Sequence, residues 1–433
     1  MRMNTSLLTS DPERFALSNE LHSRPFPKLT APCRAIFLAL RPERAHERDP
    51  DGDRAHLIDL LDRYGSAHPA SGAAHYSGEL GRGWLKWESH TEFVTYTVFV
   101  PGVSDEPFSG DSLSLLPDDW LAALGGQLVS AAMVRIERAA TVAEAETLFD
   151  ERFRPHFAAE SLSTGFVVDD EALITTDFRL HEDGMARIGV IAIDGIGPRR
   201  LGRIVQRVLE IESYKSFALL TLPTARETSA KVTSLDKRLA RLTEEAATGG
   251  GDPRTTLEEL TRLAAEVEKL STDTAFRFGA AGAYEAIVND RIAVLRERRL
   301  KGRQLYSEFM KRRFDPAMRT CRSAERRLTQ LSDRVARAST MLSTRVQVAV
   351  EAQNQSLLAS MDKRAATQLR LQQTVEGLSV VAISYYAVSL GAYLLAPTAK
   401  LIGLDKAWLT AGLAPLVILA VWLMVRNLKK HWD

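Results

Sequence analysis

Residues 377–396 read GLSVVAISYYAVSLGAYLLA, and residues 408–425 read WLTAGLAPLVILAVWLMV. Neither stretch contains a charged side chain. A helix needs about 20 apolar residues to cross a hydrocarbon core of roughly 30 Å, and both stretches come close to that length. The sequence therefore predicts two membrane-spanning helices joined by a short connection, which together form a transmembrane hairpin.

The basic residues that flank the two stretches predict the orientation of this hairpin. Lysine and arginine are enriched in the short segments that stay on the cytoplasmic side of a membrane. Three of them precede the first stretch and three follow the second, whereas the connection contains two. We therefore expect a two-pass membrane protein with both termini in the cytosol. The residues are Lys363, Arg364 and Arg370, then Arg426, Lys429 and Lys430, and in the connection Lys400 and Lys406.

The composition of the 433 residues limits the classes of protein that need to be considered. A net charge of +1 argues against a dedicated nucleic-acid-binding protein. Cys33 and Cys321 lie far apart and predict neither a disulfide framework nor a metal cluster. No apolar run occurs near the N-terminus, so we expect no signal peptide. Phosphate-binding, nucleophile-elbow, zinc-protease and dinucleotide-binding motifs are absent, so the sequence predicts no enzymatic reaction and no resident cofactor.

The sequence before the apolar stretches divides into a mixed section and a helical section. Residues 33–41 are typical of a strand, residues 83–100 have the composition and alternation of strands, and residues 55–65 have helical spacing. Further strands are predicted within 161–193. Beyond residue 197 the apolar spacing is helical up to the membrane. The predicted fold is an α+β cytosolic domain (1–197), a long α-helical coiled-coil stalk (198–376), the two-helix transmembrane hairpin (377–425) and a basic cytosolic tail (426–433).

The coiled-coil prediction depends on a seven-residue repeat. Cys321, Leu328, Val335 and Leu342 recur at every seventh position. This is the spacing of a coiled-coil seam, which requires a partner helix. The partner could be an earlier helix of the same chain in an antiparallel bundle, or a second copy in an oligomeric stalk, and the repeat leaves both possibilities open.

Polar residues follow one stripe of the first predicted span. Four of them are spaced by seven, a fifth lies beside the stripe, and a glutamate lies at its cytosolic end. Such groups avoid lipid and prefer a protein interior or a wet cavity. Several copies could arrange the stripe around a pore, or the stripe could serve ordinary helix packing with tyrosines at the headgroup level. The candidate pore-lining residues are Gln372, Ser379, Tyr386 and Tyr393, then Ser389 and Glu376.

Acidic residues and histidines occur together in the mixed section. Glu88, His90 and Glu92 alternate along one face of a predicted strand. They could ligate a divalent cation, joined by Glu20 and His22 of the N-terminal segment, because carboxylate and imidazole groups are common ligands. A solvated polar strand face would show the same pattern, so the spacing alone leaves both interpretations open.

Arginine and lysine are concentrated in residues 291–313, RIAVLRERRLKGRQLYSEFMKRR. Such a run could contact anionic headgroups or nucleic acid. It is more typical of a solvated helix face with acidic partners nearby. The candidate basic patch consists of Arg296, Arg298, Arg299, Lys301, Arg303, Lys311, Arg312 and Arg313.

Three runs carry a resemblance to a known family. They are NELHSRP at 19–25, WESHTEFVT at 87–95 and QLRLQQTVEGLSVVAISYYAV at 368–388. Together they resemble a bacterial family of membrane-anchored proteins known only as a domain of unknown function, and the match extends over nearly the whole chain. The resemblance implies an inner-membrane protein with a cytosolic domain, and it implies no activity.

The order of the predicted parts is also similar to the architecture of the CorA-type magnesium transporters. That similarity implies a pentameric pore lined by the first span, which ends in a Gly-Met-Asn signature in those transporters. Here the corresponding end reads Gly391-Ala392-Tyr393-Leu394. The sequence therefore departs from the pattern that magnesium selectivity requires in that superfamily.

Two functions follow from these observations. One is a membrane-tethered scaffold or sensor that forms homo-oligomers and binds an unidentified ligand or protein partner. The alternative is a CorA-like oligomeric cation channel or transporter that lacks the Gly-Met-Asn signature. The expected partners are membrane lipid and further copies of the chain, and a divalent cation is the one ligand that the sequence itself suggests.

Overall fold

The computed structural model describes residues 11, 13–14, 25–43, 48–108, 114–248, 252–401 and 405–429. The chain divides into two compact units. The first unit comprises Met1–Thr248 together with Glu258–Ala338, and the second comprises Gly249–Leu257 together with Ser339–Asp433.

A single sheet organises the first unit. Its strands are β1 (Cys33–Arg41), β2 (His75–Leu80), β3 (Gly83–Ser89), β4 (Val94–Pro101), β5 (Gln127–Ala139), β6 (Ser163–Val167), β7 (Ala172–Leu180), β8 (Ala186–Ile193) and β9 (Arg298–Arg299). Within the described residues their order is β2-β3-β4-β1-β5-β8-β7-β6-β9. The pair β5 and β8 is parallel, and the other neighbouring strands are antiparallel.

Helices connect and cover these strands. They are α1 (Pro50–Arg63), α2 (Asp118–Ala122), α3 (Val142–Leu148), α4 (Pro198–Leu219), α5 (Thr221–Thr248), α6 (Pro253–Leu295), α7 (Tyr306–Leu401) and α8 (Lys406–Lys429). A π-helical turn (Phe149–Phe153) and a short 3-10 helix (Arg154–His156) follow α3.

Strand β1 lies near the centre of the sheet and is buried on both faces. Ala35 and Phe37 pack into the core on one face, and Ile36 and Leu38 pack into the core on the other. Successive side chains of a strand point to opposite faces, so a continuous apolar run suits a strand that is covered on both sides. The strand predicted over 33–41 is confirmed with those bounds.

The two faces of the sheet carry different helices. Helices α4 and α6 and the start of α7 cover one face, where Ile204, Val288 and Met310 join the same core as Phe37. Helices α1 to α3 contribute to the core on the other face, as Trp120 of α2 shows. The predicted α+β domain followed by long helices is therefore confirmed. The core includes side chains from both sides of residue 197, and the four-part division of the chain stays a prediction.

Helices α5, α6 and α7 pack on one another within the first unit. Arg238 of α5 pairs with Glu266 of α6 at 2.6 Å, and Arg322 of α7 pairs with Glu285 of α6. Leu328 and Val335 of the seven-residue repeat are buried in the single chain. This part of the repeat is therefore packed within the single chain, and the coiled coil stays a prediction.

In the second unit, helices α7 and α8 expose most of their apolar residues. Two helices of the described chain are long and apolar enough to cross a membrane, Tyr306–Pro397 and Ala407–Arg426. In their most apolar windows 11% and 6% of the residues are buried. The two helices contact each other at Gly391, where an added Cβ would lie 2.8 Å from the Leu413 side chain.

Candidate functional site

A cavity of about 220 Å³ lies between the sheet and helix α4 in the first unit. Register places Phe37, Thr97 and Lys86 side by side across strands β1, β4 and β3, and all three line the cavity. Helix α4 contributes the opposite wall. The residues of that wall are Gln206, Leu209, Glu210, Ser213 and Tyr214, and Arg291 of α6 lies beside them.

The N-terminal segment forms part of the cavity wall, and it packs closely on helix α4 at a glycine. Phe26 and Pro27 line the cavity. The carbonyl oxygen of Pro27 occupies the place that a Cβ on residue 202 would need. The Leu29 amide donates a hydrogen bond to the Pro198 carbonyl at 3.0 Å, which holds the segment on the start of the helix. Gly202 therefore permits the close approach of two backbones.

A hydrogen-bonded row of charged and polar groups runs along the cavity. The Lys86 ammonium lies 2.9 Å from Glu88 and donates to the Gln206 amide oxygen at 2.8 Å. The Gln206 amide nitrogen donates to Glu210 at 2.8 Å, and Arg291 donates to the second oxygen of Glu210. The row contains two cations and two carboxylates, so its charges cancel.

Ser213 stands out among the polar lining residues. It is 3% exposed, and its hydroxyl finds no hydrogen-bond partner in the described part of the chain. A buried hydroxyl without a partner costs about 1–3 kcal/mol.

Aromatic rings form the apolar part of the cavity wall. His90 stacks on Phe93 with ring centroids 4.2 Å apart. Phe93 stacks on Phe217 at 4.0 Å and meets the edge of Tyr214 at 5.8 Å. Behind this wall, burial and the Glu92 carboxylate raise the pKa of Tyr284. The cavity therefore combines an aromatic side with a charged side.

The sequence matches the model of one protein family over nearly its whole length. A model described as "Protein of unknown function (DUF3422)" matches residues 9–432. The chain belongs to the DUF3422 family. Comparisons with curated proteins and with solved structures find no match, so they lend no support to a similarity with CorA-type transporters.

One of the runs that carry the family resemblance lines this cavity of the DUF3422 chain. The run at 87–95 supplies Glu88, His90, Phe93 and Thr95 to the lining. Of the run at 19–25 only Pro25 lies within the described residues, and the next two residues along the chain, Phe26 and Pro27, line the cavity.

The described metal-ligand candidates of the DUF3422 chain contact other side chains. Strand β3 ends at Ser89, so His90 and Glu92 lie in the turn before β4, and the expectation of one continuous strand face is wrong there. Glu88 pairs with Lys86, and Glu92 pairs with Arg277. Glu20 and His22 lie outside the described residues. Among the residues that are described, no group of three or more His, Cys, Asp or Glu could hold a metal ion, and the cation site stays a prediction.

Sequence analysis missed the helix side of the cavity. Gln206, Glu210 and Ser213 are spaced by four and three, which places them on one face of α4. Their neighbours Val205, Val208 and Leu209 are apolar and buried. Polar residues that interrupt a buried helix face were the signal that could have indicated a site.

The candidate basic patch of the DUF3422 chain is largely neutralised by ion pairs. Its first part lies in the loop between α6 and α7, which includes β9, and not on a helix. Surface ion pairs leave little net charge for an external anion, so contact with lipid or nucleic acid stays a prediction. The pairs are Arg296–Asp169, Arg298–Asp170, Arg299–Glu308, Lys301–Glu146 and Arg303–Asp150. Arg312 donates a hydrogen bond to the Gln304 side chain. Lys311 and Arg313 are exposed.

The candidate pore-lining residues lie on helix α7 in the second unit. Tyr386 and Tyr393 are exposed in the single chain, and so are Gln372 and Ser379. Glu376 and Ser389 are partly buried. The residues of α7 that are buried in this part are Ser384 and Ala392, on the side of the Gly391 contact with α8. The polar stripe therefore points away from α8.

Proposed function

We propose that this protein is a membrane-tethered, homo-oligomeric sensor. Its cytosolic cavity binds a small molecule, two C-terminal helices anchor it in the inner membrane, and further copies associate along helix α7. The cavity carries the ligand-binding part of this proposal, since the family run at 87–95 supplies four of its lining residues, and the Ser213 hydroxyl beside them has no partner among the described residues.

The exposure of the C-terminal helices supports the membrane anchor. A core helix of a soluble protein passes the same test of length and composition, but it is mostly buried, whereas these windows are 11% and 6% buried. The windows lie at the C-terminal end of the chain, so a signal sequence does not account for them. Exposed apolar helices of this length are stable in a bilayer.

The cytosolic part of α7 in the second unit supports association between copies. Leu357, Leu358 and Met361 are each more than half exposed in the single chain. A long helix in water derives most of its stability from packing an apolar face. The same helix from other copies would cover these residues. The resulting oligomer would contain one cavity in each copy.

A thermal-shift screen of the purified full-length protein in detergent against pooled small metabolites tests the sensor function. We expect at least one metabolite class to raise the melting temperature of the wild type and not of Ser213→Met, which fills the cavity. Ser216→Met is the matched control, because Ser216 lies one turn along α4 and does not line the cavity. A screen in which no class stabilises the wild type would contradict the sensor function.

A cation channel is the second candidate, and one observation favours it. Ser379 and Tyr386 are polar and point away from α8, so another copy or lipid must face them. Flux of monovalent and divalent cations into liposomes tests this candidate. If Ser379→Leu with Tyr386→Leu leaves any flux unchanged, the stripe lines no pore.

A further inference from the structure

We infer that the cavity binds a small zwitterion of the α-amino acid type with an apolar side chain. The inference rests on the proposed sensor function, because it names the ligand class of the same cavity. Three properties of the lining carry it: the alternation of charge, the unused hydrogen-bonding groups, and the aromatic wall.

The charged groups of the lining alternate in sign along the hydrogen-bonded row. Glu88 and Lys86 lie at one end, and Glu210 and Arg291 lie at the other. An anion bound to either cation would lie beside a carboxylate, and a cation bound to either carboxylate would lie beside a positive group. A zwitterion avoids both repulsions, since its carboxylate can face a cation while its ammonium faces a carboxylate.

Two groups of the lining have hydrogen-bonding capacity that a ligand can use. An ammonium has three donors, and Lys86 directs two of them at Glu88 and Gln206. The Ser213 hydroxyl makes no hydrogen bond to the described residues. Lys86 and, after rotation about its Cα–Cβ bond, Ser213 would therefore offer one charged and one neutral donor to a ligand, which suits a carboxylate group.

The remaining wall selects the ligand by size and polarity. Phe26, Phe37, Phe93 and Phe99 line the cavity together with Tyr214. At about 220 Å³ the cavity is smaller than the roughly 300–1,000 Å³ typical of sites for drug-sized ligands. An amino acid with a branched aliphatic side chain places its charged end on the row and its side chain on the rings.

Isothermal titration of the full-length protein in detergent with three probes of matched shape tests this inference. L-leucine carries both charges, isoamylamine lacks the carboxylate, and 4-methylpentanoate lacks the ammonium. We expect leucine to bind at least tenfold more tightly than either analogue. Ser213→Ala should weaken leucine binding about fivefold, and Ser216→Ala, outside the lining, should leave it unchanged.

The outcomes separate this inference from the sensor function. If isoamylamine or 4-methylpentanoate binds as tightly as leucine and Ser213→Met abolishes that binding, the zwitterion assignment is overturned and the sensor function stands. If none of the three probes binds while the metabolite screen finds another stabilising class, the assignment is again overturned alone. If the screen also finds none, both fail.

Discussion

The Pro27 carbonyl oxygen lies against helix α4 at Gly202, in the position that a side chain on residue 202 would fill. This contact places Phe26 and Pro27 over the cavity and joins the N-terminal segment to the sheet domain. The shape of the candidate site thus depends on the absence of one Cβ.

Gly202→Ala should displace the N-terminal segment and lower the stability of the protein by about 1–3 kcal/mol, the usual cost of overpacking. Gly279→Ala is the matched control, because Gly279 lies in helix α6 and an added Cβ there meets nothing within 4 Å. The control should be neutral or stabilising by up to about 1 kcal/mol. Chemical denaturation of both variants measures the difference, and equal effects would contradict the contact.

Lys86→Met should destabilise the protein by up to about 3–5 kcal/mol, because it leaves the partly buried Glu88 carboxylate without its cation. Adding Glu88→Gln to this variant should recover a large part of the loss, since the amide carries no charge. A double-mutant cycle by chemical denaturation measures the coupling between the two residues. A coupling of zero would show that the ion pair is not formed in solution.

The contacts of Gly202 and Lys86 also show how much of the site could be predicted from the sequence. The apolar run of residues 33–41 predicted strand β1 because a buried central strand shows its pattern locally. Lys86 and Gln206 are 120 residues apart, and no spacing within β3 or α4 indicates that they meet. The convergence depends on sheet order and on Gly202, which are properties of the whole fold.

The seven-residue repeat illustrates the same limit for the helices. The positions of Leu328 and Val335 predicted a partner helix, and the structure buries both. The repeat could not indicate which chain supplies the partner, because packing within a chain and packing between chains require the same apolar spacing.

Cysteine cross-linking should distinguish the two parts of helix α7. Leu358→Cys should form a disulfide between copies in native membranes, because Leu358 is 62% exposed in the single chain. Leu328→Cys should form none, because Leu328 is buried by the same chain. Both variants are made with the native cysteines replaced by alanine. Cross-linking at neither position, or at residue 328 alone, would contradict association along α7.

The protein should lose stability as the pH falls from about 7 to 5. Burial lowers the pKa of His56, which stacks on Trp120 at 4.3 Å, below its ordinary value of 6.5. The unfolded chain then binds a proton at a pH where the folded chain does not, so acid favours unfolding until the folded pKa is passed. Burial also lowers the pKa of His156, which acts in the same direction.

The pH dependence can be assigned with two variants. His56→Gln should show a smaller fall in melting temperature between pH 7 and pH 5 than the wild type. His156→Gln should also show a smaller fall than the wild type, because burial lowers the pKa of that imidazole as well. If His56→Gln retains the full pH dependence, His56 is not held neutral by the fold.

Labelling with a membrane-impermeant maleimide tests most directly whether two C-terminal helices hold the sheet domain on the cytosolic side of the inner membrane. Single cysteines replace Asp405, between α7 and α8, and Leu180, an exposed residue of β7, in a background without native cysteines. In intact spheroplasts, Asp405→Cys should be labelled and Leu180→Cys should react only after permeabilisation. The account would be contradicted if Leu180→Cys were labelled in intact spheroplasts. It would also be contradicted if Asp405→Cys, like Leu180→Cys, reacted only after lysis.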